Sequence, residues 1–158
     1  MSHLGKCDMK LKCSLGELVG ALKSIMPEWS KYMEVDESGR LPCKNSYDDK
    51  DTINTGFSIR IRGGAYYNKD AAPNLPYADA GFRQKEDGSW EAVYDPSGLP
   101  SKVRELGTTA LNEVAGTRVE NYLTSVNAEV TRADAEGADR ILEVIMDVGS
   151  AGGMGQSI

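Results

Sequence analysis

The chain has 158 residues, a length that fits one domain able to bury two amphipathic helices against a sheet. With 40% hydrophobic and 27% charged residues it is too apolar to remain disordered, and its formal net charge of -6 disfavours nucleic acid and anionic lipid as partners. No run approaches the roughly 18 apolar residues of a membrane span, and residues 1 to 6 lack the apolar centre of a signal peptide, so neither membrane insertion nor secretion is expected.

Residues 6 to 13 alternate, with Cys7, Met9, Leu11 and Cys13 on one side and Lys6, Asp8, Lys10 and Lys12 on the other, the period of a half-buried strand. The lysine side needs no ligand, because charge on a first strand discourages edge-to-edge pairing. Cys7 and Cys13 read as small hydrophobes. With Cys43 they form an odd set without paired close spacing, so neither a disulfide framework nor a zinc site is expected, and a reducing cytoplasm is.

Ser14 and Glu17 have the spacing of a capping box. Leu15, Leu18, Val19, Leu22, Ile25, Met26 and Trp29 then recur at helical spacing, predicting a helix over 15–26 that stops before Pro27. Residues 34 to 55 are polar, with a turn at 36–39 and a charged stretch at 48–51, and read as a loop or short edge strand. Phe57, Ile59 and Ile61 alternate with Ser58, Arg60 and Arg62 as one strand that ends at Gly63-Gly64. Residues 65 to 77 read as a surface loop.

Ala80 and Phe82 on one strand and Trp90, Ala92 and Tyr94 on the next flank a tight turn at Asp87-Gly88, predicting a hairpin. Trp29, Trp90 and Tyr94 fit core or rim positions rather than a binding platform. After Pro96 and Pro100, Ser101 is placed to cap a second helix carrying Val103, Leu106, Ala110, Leu111, Val114, Val119 and Tyr122. Gly107 and Gly116 weaken that helix by roughly 1 kcal/mol each. Val126, Ala128 and Val130, then Leu142, Val144, Met146 and Val148, predict a closing hairpin across a polar link at 134–139. The expected whole is an α+β domain over 1–148 and a flexible glycine-rich tail over 149–158. Its antiparallel sheet has about five to seven strands with two helices on one face, ferredoxin-like or a related split βαβ arrangement.

The element order, Met1-Ser2-His3-Leu4, the lysine-rich first strand, Ile59-Arg60-Ile61-Arg62-Gly63-Gly64 and Asp79-Ala80-Gly81-Phe82-Arg83 resemble an uncharacterised domain family. That family includes the hypothetical chloroplast reading-frame protein thirty-five of algal plastids and cyanobacteria. The resemblance runs over about 1–148 and implies the same fold and an intracellular setting, cytoplasmic or plastid stromal, without catalytic residues to carry across. A tendency of the family's genes to neighbour those of an AAA-type ATPase implies a partner protein. The loops at 35–55 and 65–77 and the glycine-rich end depart from the family pattern.

Chemistry-bearing residues are sparse. His3 is the only histidine and sits at a terminus, where a surface or strand-pairing role is simpler than copper ligation or catalysis. Asp36, Glu37, Asp48, Asp49 and Asp51 lack the spacing of a calcium loop and read as solvated charge. Hairpin carboxylates at Glu86 and Asp87 sit where water is plentiful, unlike an acid/base pair. One cluster stands out. Arg60 and Arg62 share a strand face, Gly63 and Gly64 follow, Arg83 joins them if its strand pairs beside theirs, and Tyr66, Tyr67 and Tyr77 lie in the adjoining loop. Together they suggest a cationic, aromatic-lined pocket for a nucleotide or other phosphorylated anion. The plainer alternative is a solvated face whose arginines pair with some of the 24 acidic residues. Gly63-Gly64 is not a phosphate loop, since no GxxxxGK[ST] pattern or helix follows. No catalytic residues, metal or cofactor are expected. The function expected is non-enzymatic binding or adaptation through a protein partner or a homo-oligomer, with a small-ligand sensor or sequestering protein as the alternative.

Overall fold

The computed structural model describes residues 5–10, 12–44, 53–64, 75–126, 128–134 and 140–146. The expected α+β class is what forms. Five antiparallel strands make the main sheet: β1 (Gly5–Met9), β2 (Met33–Val35), β5 (Ile59–Ile61), β6 (Ala80–Gln84) and β7 (Trp90–Tyr94), ordered β1-β7-β6-β5-β2. Helices α1 (Leu15–Ile25) and α2 (Leu106–Ser125) pack on one face. Since each neighbouring pair is antiparallel, β1 and β2 run the same way at opposite edges, joined by α1. This is a split βαβ unit opened by three intervening strands.

Local chemistry sets the first unit. Ser14 Oγ accepts from the Glu17 N–H at 3.1 Å, and Glu17 returns the bond to the Ser14 N–H at 3.2 Å, closing the predicted capping box. The helix stops before Pro27, and Trp29 is buried from a 3-10 turn, Pro27–Tyr32, rather than from the helix. The first strand is shorter than the alternation suggests. It ends at Met9, and Cys13 reaches the core from the connection, where its carbonyl accepts the buried Trp90 indole N–H at 2.9 Å. Leu11 and His3 fall outside the described residues.

Residues 33–57 hold more order than expected. They form β2, β3 (Leu41–Lys44) and β4 (Ile53–Phe57), with 45–52 outside the described residues. The turn at 36–39 is as read: Asp36 accepts from the Ser38 and Arg40 N–H groups, and Gly39 supplies φ 67. The strand read through Phe57, Ile59 and Ile61 is two strands of different sheets. Gly56 at φ 96 bends the chain, and the Ser58 N–H donates to the Phe82 carbonyl at 2.9 Å. The break turns Phe57 to the opposite face from Ile59 and Ile61. There it forms a second small core with Cys43 and Val93, the β3-β4 hairpin covering the sheet beside Gly81.

The hairpin at 80–94 forms as predicted, with Gly88 at φ 87. Ser101 does not cap the second helix. Residues Ser101–Val103 make a 3-10 turn that buries Val103, and α2 starts at Leu106 without a side-chain cap. Its first turn packs closely on β1, where a Cβ at Gly107 would lie 2.6 Å from Cys7 Sγ. The α1-α2 contact includes Ser24 Oγ donating to Glu113 Oε1 at 3.0 Å. The closing hairpin pairs β8 (Ala128–Asp134) with β9 (Arg140–Met146), as a sheet of its own. Residues 149–158, read as a tail, lie outside the described residues.

Candidate functional site

The arginine cluster is positioned by the register of four strands. Glu34 on β2 stands opposite Arg60 on β5, and its Oε2 accepts from the Arg60 guanidinium. A second Arg60 nitrogen donates to the Pro42 carbonyl at 2.7 Å, tying β3 to the main sheet. Arg83 on β6 stands opposite Glu91 on β7 and bonds it through Nε at 2.5 Å, while its guanidinium lies 5.0 Å from the Phe57 ring centroid. Phe57 and Cys43 sit against Gly81, which is opposite Arg60 and two residues before Arg83. The two arginines share a sheet face but are each committed to a carboxylate beside this apolar plug, so they do not converge. Burial, followed by the Asp79 charge, pushes the Cys43 thiol up to about 12, which makes it a packing group rather than a nucleophile.

The two glycines are used internally. A Cβ at Gly63 would sit 2.3 Å from the Ala78 carbonyl carbon, so glycine is required by the close approach of backbone to backbone. The Gly63 N–H donates to Asp79 Oδ1 at 2.8 Å and the Gly64 N–H to the Pro76 carbonyl at 3.2 Å. Neither is left as an anion donor. Asp79 also accepts from the Lys44 N–H at 2.9 Å, joining β3 to the same corner. Leu75 and Pro76, read as part of a surface loop, are buried here. Tyr77 is 39% exposed and packs against Gly98. Tyr66 and Tyr67 lie outside the described residues.

Of the three arginines, Arg62 is the one left open. Its side chain is 64% exposed, and its nearest carboxylate oxygen among the described residues, Glu34 Oε1, is 3.9 Å away. The Arg62 N–H donates to the Tyr32 carbonyl at 2.8 Å, which brings the end of the 3-10 turn beside the end of β5. Between them lies an open pocket of about 390 Å³ lined by Lys31, Tyr32, Glu34, Arg62, Gly63, Gly64 and Leu75. Lys31, Tyr32 and Glu34 were not legible as partners of Arg62, because their placement depends on the pairing of β2 with β5. The short alternation Met33-Glu34-Val35 was the only local signal. Among the described residues, no group of three His, Cys, Asp or Glu side chains is gathered as a metal site.

A second surface feature lies on α2. Val103, Leu106, Ala110 and Val114 are buried, as the helical spacing requires, whereas Val119, Tyr122 and Val126 are 46%, 67% and 43% exposed. The step of five residues from Val114 to Val119 rotates the apolar series by about 140° around the axis, off the core side. Val119, Tyr122 and Val126 therefore form an outward stripe over the C-terminal half of α2 and its cap. Comparison of the chain with family models, with curated proteins and with solved structures found no match.

Proposed function

We infer that this chain is a non-enzymatic binding or adaptor protein that acts through a protein partner or a second copy of itself. The observation that carries this reading is the exposed Val119-Tyr122-Val126 stripe, since apolar side chains grouped on one helix side mark contact surfaces more often than scattered ones do. The outer edges of β1 and β2, which pair with no strand among the described residues, support it as sites for strand addition. The net charge of -6 argues against nucleic acid as that partner, and no helix among the described residues is long and apolar enough to cross a membrane. The free thiols of Cys7, Cys13 and Cys43 support a reducing compartment, the cytoplasm or a plastid stroma. Kinship with the chloroplast reading-frame family belongs to the same proposal and rests on the motifs quoted above.

Light scattering over a range of protein concentrations, paired with affinity capture on wild type and Tyr122→Ser, tests it. Self-association, or a captured partner, that Tyr122→Ser abolishes is the expected result. A strict monomer whose captured proteins are the same for both variants refutes the reading.

A further inference from the structure

The pocket beside Arg62 carries a second assignment, independent of the α2 stripe. We propose that it binds a small phosphorylated molecule, with the phosphoryl group between Arg62 and Lys31 and the organic part against Tyr32 and Leu75. Glu34 is shared unequally between Arg60 and Arg62. Its Oε2 is taken by Arg60, and its Oε1 stands 3.9 Å from Arg62, beyond the 2.7–3.2 Å of a hydrogen bond. Arg62 therefore keeps donors of its planar fork for another acceptor. Lys31 is exposed and makes no ion pair among the described residues.

Charge decides the ligand class. Two cations and one carboxylate leave the lining with a net positive charge, and because attraction scales with the charge of the ligand, a dianion gains about twice what a monoanion does. Size points the same way, because about 390 Å³ lies at the small end of ligand sites and exceeds what a bare ion fills. Tyr32 and Leu75 supply apolar wall for the remainder. The Gly63 and Gly64 N–H groups are already spent on Asp79 and Pro76, so recognition rests on side chains and is salt-sensitive.

Amide chemical shifts on the whole chain, titrated with phenyl phosphate, inorganic phosphate and phenyl sulfate at fixed ionic strength, test this. Phenyl phosphate is expected to shift the amides of Lys31, Tyr32, Arg62, Gly63 and Gly64 saturably and more tightly than the monoanionic sulfate. Arg62→Gln should weaken it about tenfold or more, and Arg62→Gln with Lys31→Gln should abolish it, with the melting temperature unchanged. Tyr122→Ser should leave it intact. Shifts that never saturate, that spread over the surface, that favour the sulfate equally, or that survive the double substitution overturn the proposal.

Discussion

Replacing Gly107 by alanine sets two effects against each other, and the structure decides the sign. Helix propensity favours alanine by up to about 1 kcal/mol, which is what the sequence alone leads one to expect. The new Cβ, however, would stand 2.6 Å from Cys7 Sγ and 2.8 Å from Cys7 Cβ. Ordinary contact needs about 3.5–4.0 Å, so the shortfall is roughly 1 Å. Cys7 Cβ cannot yield without moving β1, which is held in register on β7 with Cys7 opposite Ala92. Such overpacking costs about 1–3 kcal/mol, leaving Gly107→Ala net destabilising by about 1–2 kcal/mol. For a chain of this size that lowers the melting temperature by roughly 2–8 °C. Gly20→Ala is the control: α1 has nothing within 4 Å of a Cβ there, so the same change should stabilise by about 0.5–1 kcal/mol. Urea unfolding reads both as midpoint shifts at constant slope. A Gly107→Ala midpoint at or above wild type would refute the packing argument.

Three further outcomes are expected. Arg118, and next the Ser14 backbone, hold the Glu17 carboxyl at about 2 against an ordinary 4.5. Because the folded value is the lower one, the pair's contribution is complete above about pH 4.5 and disappears as pH falls towards 2. Both side chains are more than a third exposed, so that contribution is small. Arg118→Gln should raise the Glu17 titration midpoint in an NMR pH series; an unmoved midpoint counts against the assignment. Cys43, fully buried with its thiol pushed up to about 12, should be the last cysteine alkylated at pH 8 and should react only as the protein unfolds. Mass spectrometry after timed alkylation checks this, and early labelling of Cys43 contradicts it. Trp90→Phe removes the indole donor from the Cys13 carbonyl and strands a buried acceptor, a loss of about 1–3 kcal/mol in urea unfolding. An unchanged midpoint would show that the bond contributes nothing.

Elements whose signal is local were legible in the sequence. The capping box at Ser14 and Glu17, the stop before Pro27, the turns at Asp36 and Gly88 and both later hairpins depend on residues a few positions apart. Elements fixed by distant partners were not. Phe57 shares the alternation of Ile59 and Ile61, yet the partner that draws it away is Cys43 on another strand, and periodicity cannot encode that change of face. Ser101 had the chemistry of a helix cap, but residues Ser101–Val103 form a 3-10 turn that buries Val103, and α2 begins only at Leu106. In the arginine cluster, the possibility of ion pairing was visible in the composition, while the identities of Glu34 and Glu91 as partners came only with strand register. Lys31 and Tyr32 entered the pocket through that same register.

The placement of β1 has a consequence for how the chain is made. Lys6 lies opposite Val93, so the opening strand leaves the ribosome with no counterpart yet synthesised. At about 5–20 residues per second, several seconds pass before β7 follows. Throughout that interval the growing polypeptide holds Met9 and the α1 side chains Leu18 and Leu22 without their final shelter. Closure by so long-range a contact is slow, and the nascent chain is most open to aggregation or chaperone capture just before it completes.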